Sequence, residues 1–258
     1  MQETNFIQWL VLALIQGLTE YLPISSSAHL ILVSKIMQWP DQGLVMDIAA
    51  HGGSLVAVMW YFKTEIIKLF QGKNWNLFKY LALATLPLGL VGFLFADFIE
   101  SNLRSPLVIA ISSVVFGLLL YLSDVIGKAK RQTEKEITTK HAIIIGFTQV
   151  LALIPGASRS GVTMSAAMAQ GFSRTKAAKF SFLLAIPALL MTTAYGVLKV
   201  VKNPEDFNMV GVFTVLVVSF LSSLLSIKLF LKVIENISIS IFVWYRIILA
   251  ALIIWVLK

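Results

Sequence analysis

Hydrophobic positions run through this chain in long blocks, not in alternation. Apolar stretches cover 44–62, 80–95, 107–122, 210–230 and 237–257. Each approaches or reaches the roughly 20 residues a helix needs to cross a bilayer, whereas a membrane β-barrel would show short alternating segments. The pattern predicts a helix at about 6–20, a break at 22–26 and a second short helix at 27–37. Pro23 and the serine run after it interrupt the helical periodicity. Neither piece is long enough to span alone, so a re-entrant hairpin is expected, and broken backbone at that depth persists only when buried in protein or lining a polar cavity. Spans are predicted at 43–62, 78–98 and 105–126, followed by a charged loop at 128–140. The order then recurs: an apolar stretch at 141–154, a break at 155–160, a helix, and spans at 177–198, 209–231 and 237–257. The expected fold is an all-α polytopic membrane protein forming one integral membrane domain over 1–258.

The recurrence reads as two repeats, about 1–127 and 141–258, each a broken hairpin followed by three spans. Gln16 and Gln149 open comparable stretches, and Ser25 and Ser158 each lie nine residues after their glutamine. Three spans per half would make the repeats inverted in the membrane. With the N-terminus outside, the inner segments carry Lys63, Lys68, Lys73, Lys79, Lys128, Lys130, Arg131, Lys135, Lys140, Lys228 and Lys232, and the flank Arg174, Lys176 and Lys179. The outer segments carry Asp97, Glu100, Arg104, Lys199, Lys202, Glu205 and Asp206. Basic residues thus concentrate on one side, as the positive-inside rule expects. The two hairpins would then enter from opposite faces and meet near the midplane, as in transporters built from inverted repeats.

Composition sharpens this picture. Of 258 residues, 58% are hydrophobic and 13% charged, with mean hydropathy +0.85; a soluble domain carries roughly 25% charged residues. There are no cysteines, which excludes disulfides, thiolate metal sites and cysteine nucleophiles. The net charge of +8 is accounted for by inner loops and calls for no nucleic-acid partner. The start, Met1-Gln2-Glu3-Thr4-Asn5, lacks the basic segment of a cleaved signal peptide, so the first apolar stretch is expected to be retained.

Two polar islands carry the candidate chemistry. The first runs from Gln16 through Glu20, Pro23, Ser25, Ser26 and Ser27 to His29; the second is Pro155-Gly156-Ala157-Ser158-Arg159-Ser160-Gly161-Val162-Thr163. Ionisable groups at membrane depth are functional hypotheses by default. Gln16 and Glu20 share a helix face at i, i+4, and present either oxygen ligands for Mg²⁺ or Ca²⁺ or partners for free hairpin backbone. A serine of the first island is expected to cap the second short helix, whose N-terminus would attract phosphate. His29 is either a nucleophile or base, or a satisfied buried histidine. Arg159 is a fork suited to phosphate or an interfacial group that snorkels, with hydroxyls at Ser158, Ser160 and Thr163 beside it. His51-Gly52-Gly53-Ser54 reads as a close-packing stretch, Trp60, Tyr61, Trp75 and Trp244 as interface anchors, and His141 as a solvated loop-edge residue. No P-loop, GxSxG or HExxH is present.

At these islands the chain resembles the undecaprenyl-diphosphatase, or bacitracin-resistance, family. Gln16 to Glu20 matches its Glu/Gln-x-x-x-Glu element, followed by Pro23, Ser26 and His29, and 155–163 matches its Pro-Gly-x-Ser-Arg-Ser-x-x-Thr signature. The resemblance covers the chain in length, span order and motif spacing. It implies hydrolysis of undecaprenyl diphosphate to undecaprenyl phosphate and inorganic phosphate, recycling the lipid carrier of peptidoglycan synthesis. It also implies bacitracin resistance, because bacitracin sequesters the same lipid. The family site would place Glu20 as the key acid, with Gln16 on a divalent cation, Mg²⁺ or Ca²⁺. Ser26 and His29 form the nucleophile region, leaving open attack by His29, Ser26 or water. Arg159 would grip phosphate, with Ser25, Ser27, Ser158, Ser160 and Thr163 as further phosphate contacts. The location implied is the bacterial cytoplasmic membrane, with the site open to the outer face. The competing class is a polyprenyl-phosphate transporter, which needs the oxyanion ligands but has no need for Glu20 and His29 as well. Small residues such as Ala166-Ala167-Met168-Ala169 permit close helix contacts and hence a homodimer.

Overall fold

The computed structural model describes residues 6–40, 42–128, 136–202 and 208–256. The N-terminal start, the basic residues Lys130, Arg131 and Lys135, and the acidic Glu205 and Asp206 lie outside them. The described chain is helical throughout: α1 (Phe6–Thr19), α2 (Ser26–Ile36), α3 (Leu44–Tyr61), α4 (Lys63–Phe70), α5 (Trp75–Leu94), α6 (Ala96–Asn102), α7 (Pro106–Lys128), α8 (Thr139–Gln149), a 3₁₀ turn at Val150–Leu153, α9 (Arg159–Ala169), α10 (Arg174–Lys202), α11 (Met209–Val233) and α12 (Ser240–Val256). Five of these, α3, α5, α7, α10 and α11, are long and apolar enough to cross a membrane; α12 has 17 residues and falls just short of that length. A polytopic helical membrane protein is therefore the architecture. The segment at 63–70, expected as an inner loop, is instead the short helix α4, whose side chains are none of them buried.

Both apolar stretches break where proline and serine were expected to break them. The α1–α2 break leaves Glu20 N–H donating to Gln16 O and Ile24 N–H to Leu22 O. The second break falls after the 3₁₀ turn, with Ala157 N–H donating to Ile154 O. The two breaks share an unusual backbone: Ser25 and Ser158 both hold φ at 69°, and they are two of three described non-glycine residues with positive φ. Such conformations cost about 1–3 kcal/mol each and persist only where surroundings hold them. Ser158 caps α9 by accepting from Gly161 N–H at 3.2 Å, whereas Ser25 makes no side-chain cap to α2.

Packing partners correspond when the halves are exchanged. α1 packs on α11 as α8 packs on α5; α9 packs on α7 as α2 packs on α12; α1 meets α2 as α8 meets α9. Small polar residues draw the long helices together. Ser219 donates to Ala50 O at 2.6 Å, Ser223 to Ser54 Oγ at 3.0 Å and Ser226 to Leu18 O at 2.8 Å, all among buried serines of α11. In an apolar solvent such bonds and close backbone contacts replace the hydrophobic drive between helices. His141, expected as a solvated loop residue, instead closes a capping box on α8 with Thr138. At the ends of α7, α10 and α11, Arg174 forks onto Asp124 (2.8 and 2.6 Å) and reaches Ile237 O at 2.7 Å, while Glu235 accepts from Thr175.

Gly146 of α8 tests the correspondence. A Cβ there would lie 2.7 Å from Ala84 Cα and 2.8 Å from Ala84 O on α5. Gly146→Val should cost about 1–3 kcal/mol by overpacking, read as a lower melting temperature of the detergent-purified protein. An unchanged melting temperature would mean α5 and α8 do not meet there.

Candidate active site

The two breaks meet face to face. Between them lies a cavity of about 130 Å³, lined from the first island by Glu20, Ser25, Ser26 and Ser27 and from the second by Pro155, Gly156, Ser158 and Arg159. Helices α2 and α9 start at this cavity, and the first N–H groups of any helix have no intrahelical partner. Two positive helix ends therefore flank one polar pocket, a setting that favours an anion.

Glu20 is the hub. Its carboxylate accepts from Arg159 Nη2 at 3.0 Å, from Ser26 Oγ at 2.9 Å and from Gln16 Nε2 at 3.0 Å. The Arg159–Glu20 pair is largely shielded, with side chains 12% and 9% exposed. Arg159 also donates to Ser181 O at 3.4 Å. Ser26 and Arg159 hold equivalent positions, each directly after its strained serine, and both point to the same carboxylate. Gln16 Oε1 is buried without a hydrogen-bond partner, leaving one free oxygen acceptor beside Glu20.

The islands are brought together as expected, but their hydroxyls divide in role. Ser25 and Ser27 pair at 3.1 Å and Ser158 and Ser160 at 3.1 Å, the same geometry in both breaks. Ser160 is fully buried and donates to Leu22 O at 2.8 Å, crossing from one island to the other. Thr163, also buried, donates to Arg159 O at 2.8 Å and pairs with Ser181 Oγ at 2.6 Å. Neither lines the cavity; both brace it. His29 is likewise set apart. Its Nδ1 donates to Ser25 O at 2.7 Å, and in the neutral ring Nε2 then accepts from Tyr245 Oη at 2.6 Å. The ring stacks on Tyr245 and is not among the cavity-lining residues.

A divalent cation would find a thin protein ligand set here. No group of three His, Cys, Asp or Glu able to hold a metal occurs among the described residues. Glu20 and the free Gln16 Oε1 do suit a hard cation that takes its remaining ligands from water and phosphate, as Mg²⁺ commonly does.

The reading of the islands missed Arg246. It lies on α12, is fully buried, and makes four bonds to main-chain carbonyls: Ser113 O at 2.7 Å, Pro23 O at 3.1 Å, Gly156 O at 2.8 Å and Ala157 O at 3.1 Å. It thus grips both breaks at once. The one sequence signal was an arginine inside an apolar run. Ser112 adds a bond to Pro155 O from α7.

A polytopic helical membrane protein, with two broken hairpins meeting around a hydroxyl- and guanidinium-lined cavity, is the class that fold and site define. Residues 9–252 match the family described as Bacitracin resistance protein BacA, and the chain belongs to that family. A protein of Alcanivorax borkumensis named Undecaprenyl-diphosphatase is 46% identical over 268 residues, covering 97% of this chain and 99% of the relative. One of Campylobacter concisus with the same name is 42% identical over 261 residues, covering 95% and 97%. A Stutzerimonas stutzeri protein, Undecaprenyl-diphosphatase 2, is 43% identical over 262 residues, covering 96% of each.

The divided roles of the hydroxyls separate two variants. Ser160→Ala removes the shorter of two hydroxyl bonds to Leu22 O, the other being Ser158 Oγ at 3.4 Å, and should lower stability by about 1 kcal/mol. Ser27→Ala, exposed at the cavity, should stay within about 0.5 kcal/mol of wild type. Thermal melts of both would decide; equal shifts would contradict the division.

Proposed function

We infer that this chain is a membrane hydrolase of the undecaprenyl-diphosphatase type: it cleaves undecaprenyl diphosphate to undecaprenyl phosphate and inorganic phosphate. The reaction recycles the lipid carrier of cell-wall synthesis, and it confers bacitracin resistance because bacitracin competes for the same diphosphate. The observation that carries the reading is the convergence of Ser26 and Arg159 on Glu20 at one cavity.

Ser26 is the nucleophile in this reading. Its hydroxyl already donates to Glu20, the geometry a general base needs. Ser26 Oγ attacks the distal phosphorus while its proton passes to Glu20. The bond from that phosphorus to the bridging oxygen breaks, and the electron pair leaves with undecaprenyl phosphate. Water then attacks the phosphoserine phosphorus and gives a proton to solvent, the P–Oγ bond breaks, Ser26 Oγ recovers its proton from Glu20, and inorganic phosphate leaves. Arg159 turns from Glu20 to the phosphoryl oxygens and, with the N-termini of α2 and α9, stabilises their charge. His29 acts at one remove, holding Ser25 O and so the strained turn before Ser26. A Mg²⁺ or Ca²⁺ ion on Glu20, Gln16 and the diphosphate would offset charge on the leaving phosphate.

The halves are read as inverted repeats, with the N-terminus and the cavity's mouth on the outer side of the cytoplasmic membrane. The meeting of Asp124, Arg174 and Glu235 supports this, because the topology puts all three at the inner side. The cavity would then receive the head group from the side where carrier lipid is released by cell-wall polymerisation.

Phosphate release from a polyprenyl diphosphate by the detergent-purified protein tests the reading. Ser26→Ala, Glu20→Gln and Arg159→Ala should each lower turnover by about 10²–10³-fold without loss of fold, and chelation should abolish it. Full turnover in folded Ser26→Ala would remove the serine as nucleophile. Substrate binding without any release by wild type would turn the reading toward lipid transport.

A further inference from the structure

The charge at the site does not balance, and Arg246 is the reason. Glu20 is paired with Arg159, so the cavity's own ionic groups cancel. Arg246 is wholly buried, bonds only to four carbonyls and has no carboxylate partner among the described residues. Carbonyl dipoles solvate a cation, but they leave its unit charge in place. Removing an ion from water costs several kcal/mol even after relaxation, so a guanidinium held this way is unfavourable until an anion comes near. Two of its acceptors, Gly156 O and Ala157 O, belong to the segment that forms one wall of the cavity, and Pro23 O lies just ahead of the serines that form the other. Space against Arg246 is kept open by Gly117 and Gly161, where an added Cβ would come within 3.3 Å of its side chain.

We propose that Arg246 is a positioning and affinity-determining residue for the diphosphate. Its fork fixes the two breaks in register, and its uncompensated charge, acting through a low-dielectric wall, favours a polyanion over a neutral head group. It does not line the cavity and touches no reacting atom. The inference rests on the phosphatase reading for its substrate class, though the charge imbalance stands without it.

The two roles separate by substitution. Arg246→Lys keeps the charge and loses the four-carbonyl fork; Arg246→Gln keeps hydrogen-bonding capacity and loses the charge. Binding of inorganic pyrophosphate to the full-length purified protein at fixed Mg²⁺ is measured by calorimetry, beside kcat and KM for a polyprenyl diphosphate. The lysine variant should bind pyrophosphate within a few-fold of wild type and lose kcat. The glutamine variant, with an unaltered melt and elution profile, should bind roughly tenfold or more weakly, the loss expected when one unit charge acting through space at an intermediate dielectric is removed. Wild-type pyrophosphate affinity in folded Arg246→Gln would overturn the proposal. Should that variant fail to fold, the lysine variant decides: retained affinity with reduced kcat supports the proposal, lost affinity in a folded protein overturns it. Wild type that binds pyrophosphate but releases no phosphate from lipid would sink the phosphatase reading and leave the Arg246 comparison intact.

Discussion

A helix that stops inside an apolar body leaves peptide groups that no solvent will satisfy, and this molecule contains two such stops facing each other. Each unsatisfied group costs several kcal/mol in a hydrocarbon setting, so the two breaks hold only because other protein groups complete them. Arg246 does most of this, taking Pro23 O from one break and Gly156 O and Ala157 O from the other. Ser160 joins Leu22 to the second island, and Ser112 holds Pro155. The hairpins are mutually dependent: neither could keep its strained serine without the other. The cavity is the space left where they meet, which is why its walls come from both.

This constraint explains which parts of the molecule could be read in advance. The two breaks fall at proline and serine, which act locally on the backbone, although Pro87 and Pro187 sit inside α5 and α10. Both islands were recognisable for the same reason: polar residues in an apolar chain must face something polar. The direction in which each side chain points within an island was not legible. Ser158 and Ser160 are alike in kind and both reach Leu22 O, at 3.4 and 2.8 Å, yet only Ser158 lines the cavity. The difference follows from φ at Ser158, which composition does not reveal. Thr163 turned inward by the same helical geometry, toward Ser181. His29 was weighed as nucleophile or buried histidine, and its partners, Ser25 O and Tyr245, lie more than two hundred residues apart.

Arg246 was missed for a different reason. One arginine barely changes the hydropathy of the apolar run at 237–257. A single intramembrane arginine needs a polar partner as much as a cluster of polar residues does. The same lesson holds for Asp124, an isolated acid near the end of α7, which proved to anchor Arg174.

The balance of charge bears on why a neutral pair sits at the centre. An unpaired Glu20 or Arg159 in this surrounding would carry a heavy desolvation cost, and each offsets the other at rest. In the proposed mechanism the pair need not separate far: a phosphoryl oxygen that displaced the carboxylate from Arg159 would free Glu20 to act on Ser26, which is already bonded to it. Substrate binding and activation of Ser26 would then be one rearrangement, driven by an anion that the proposed charge of Arg246 favours. A carrier gains nothing from linking those two events. A hydrolase working at a lipid surface does, because its base is released only when a phosphate stands in place to be attacked.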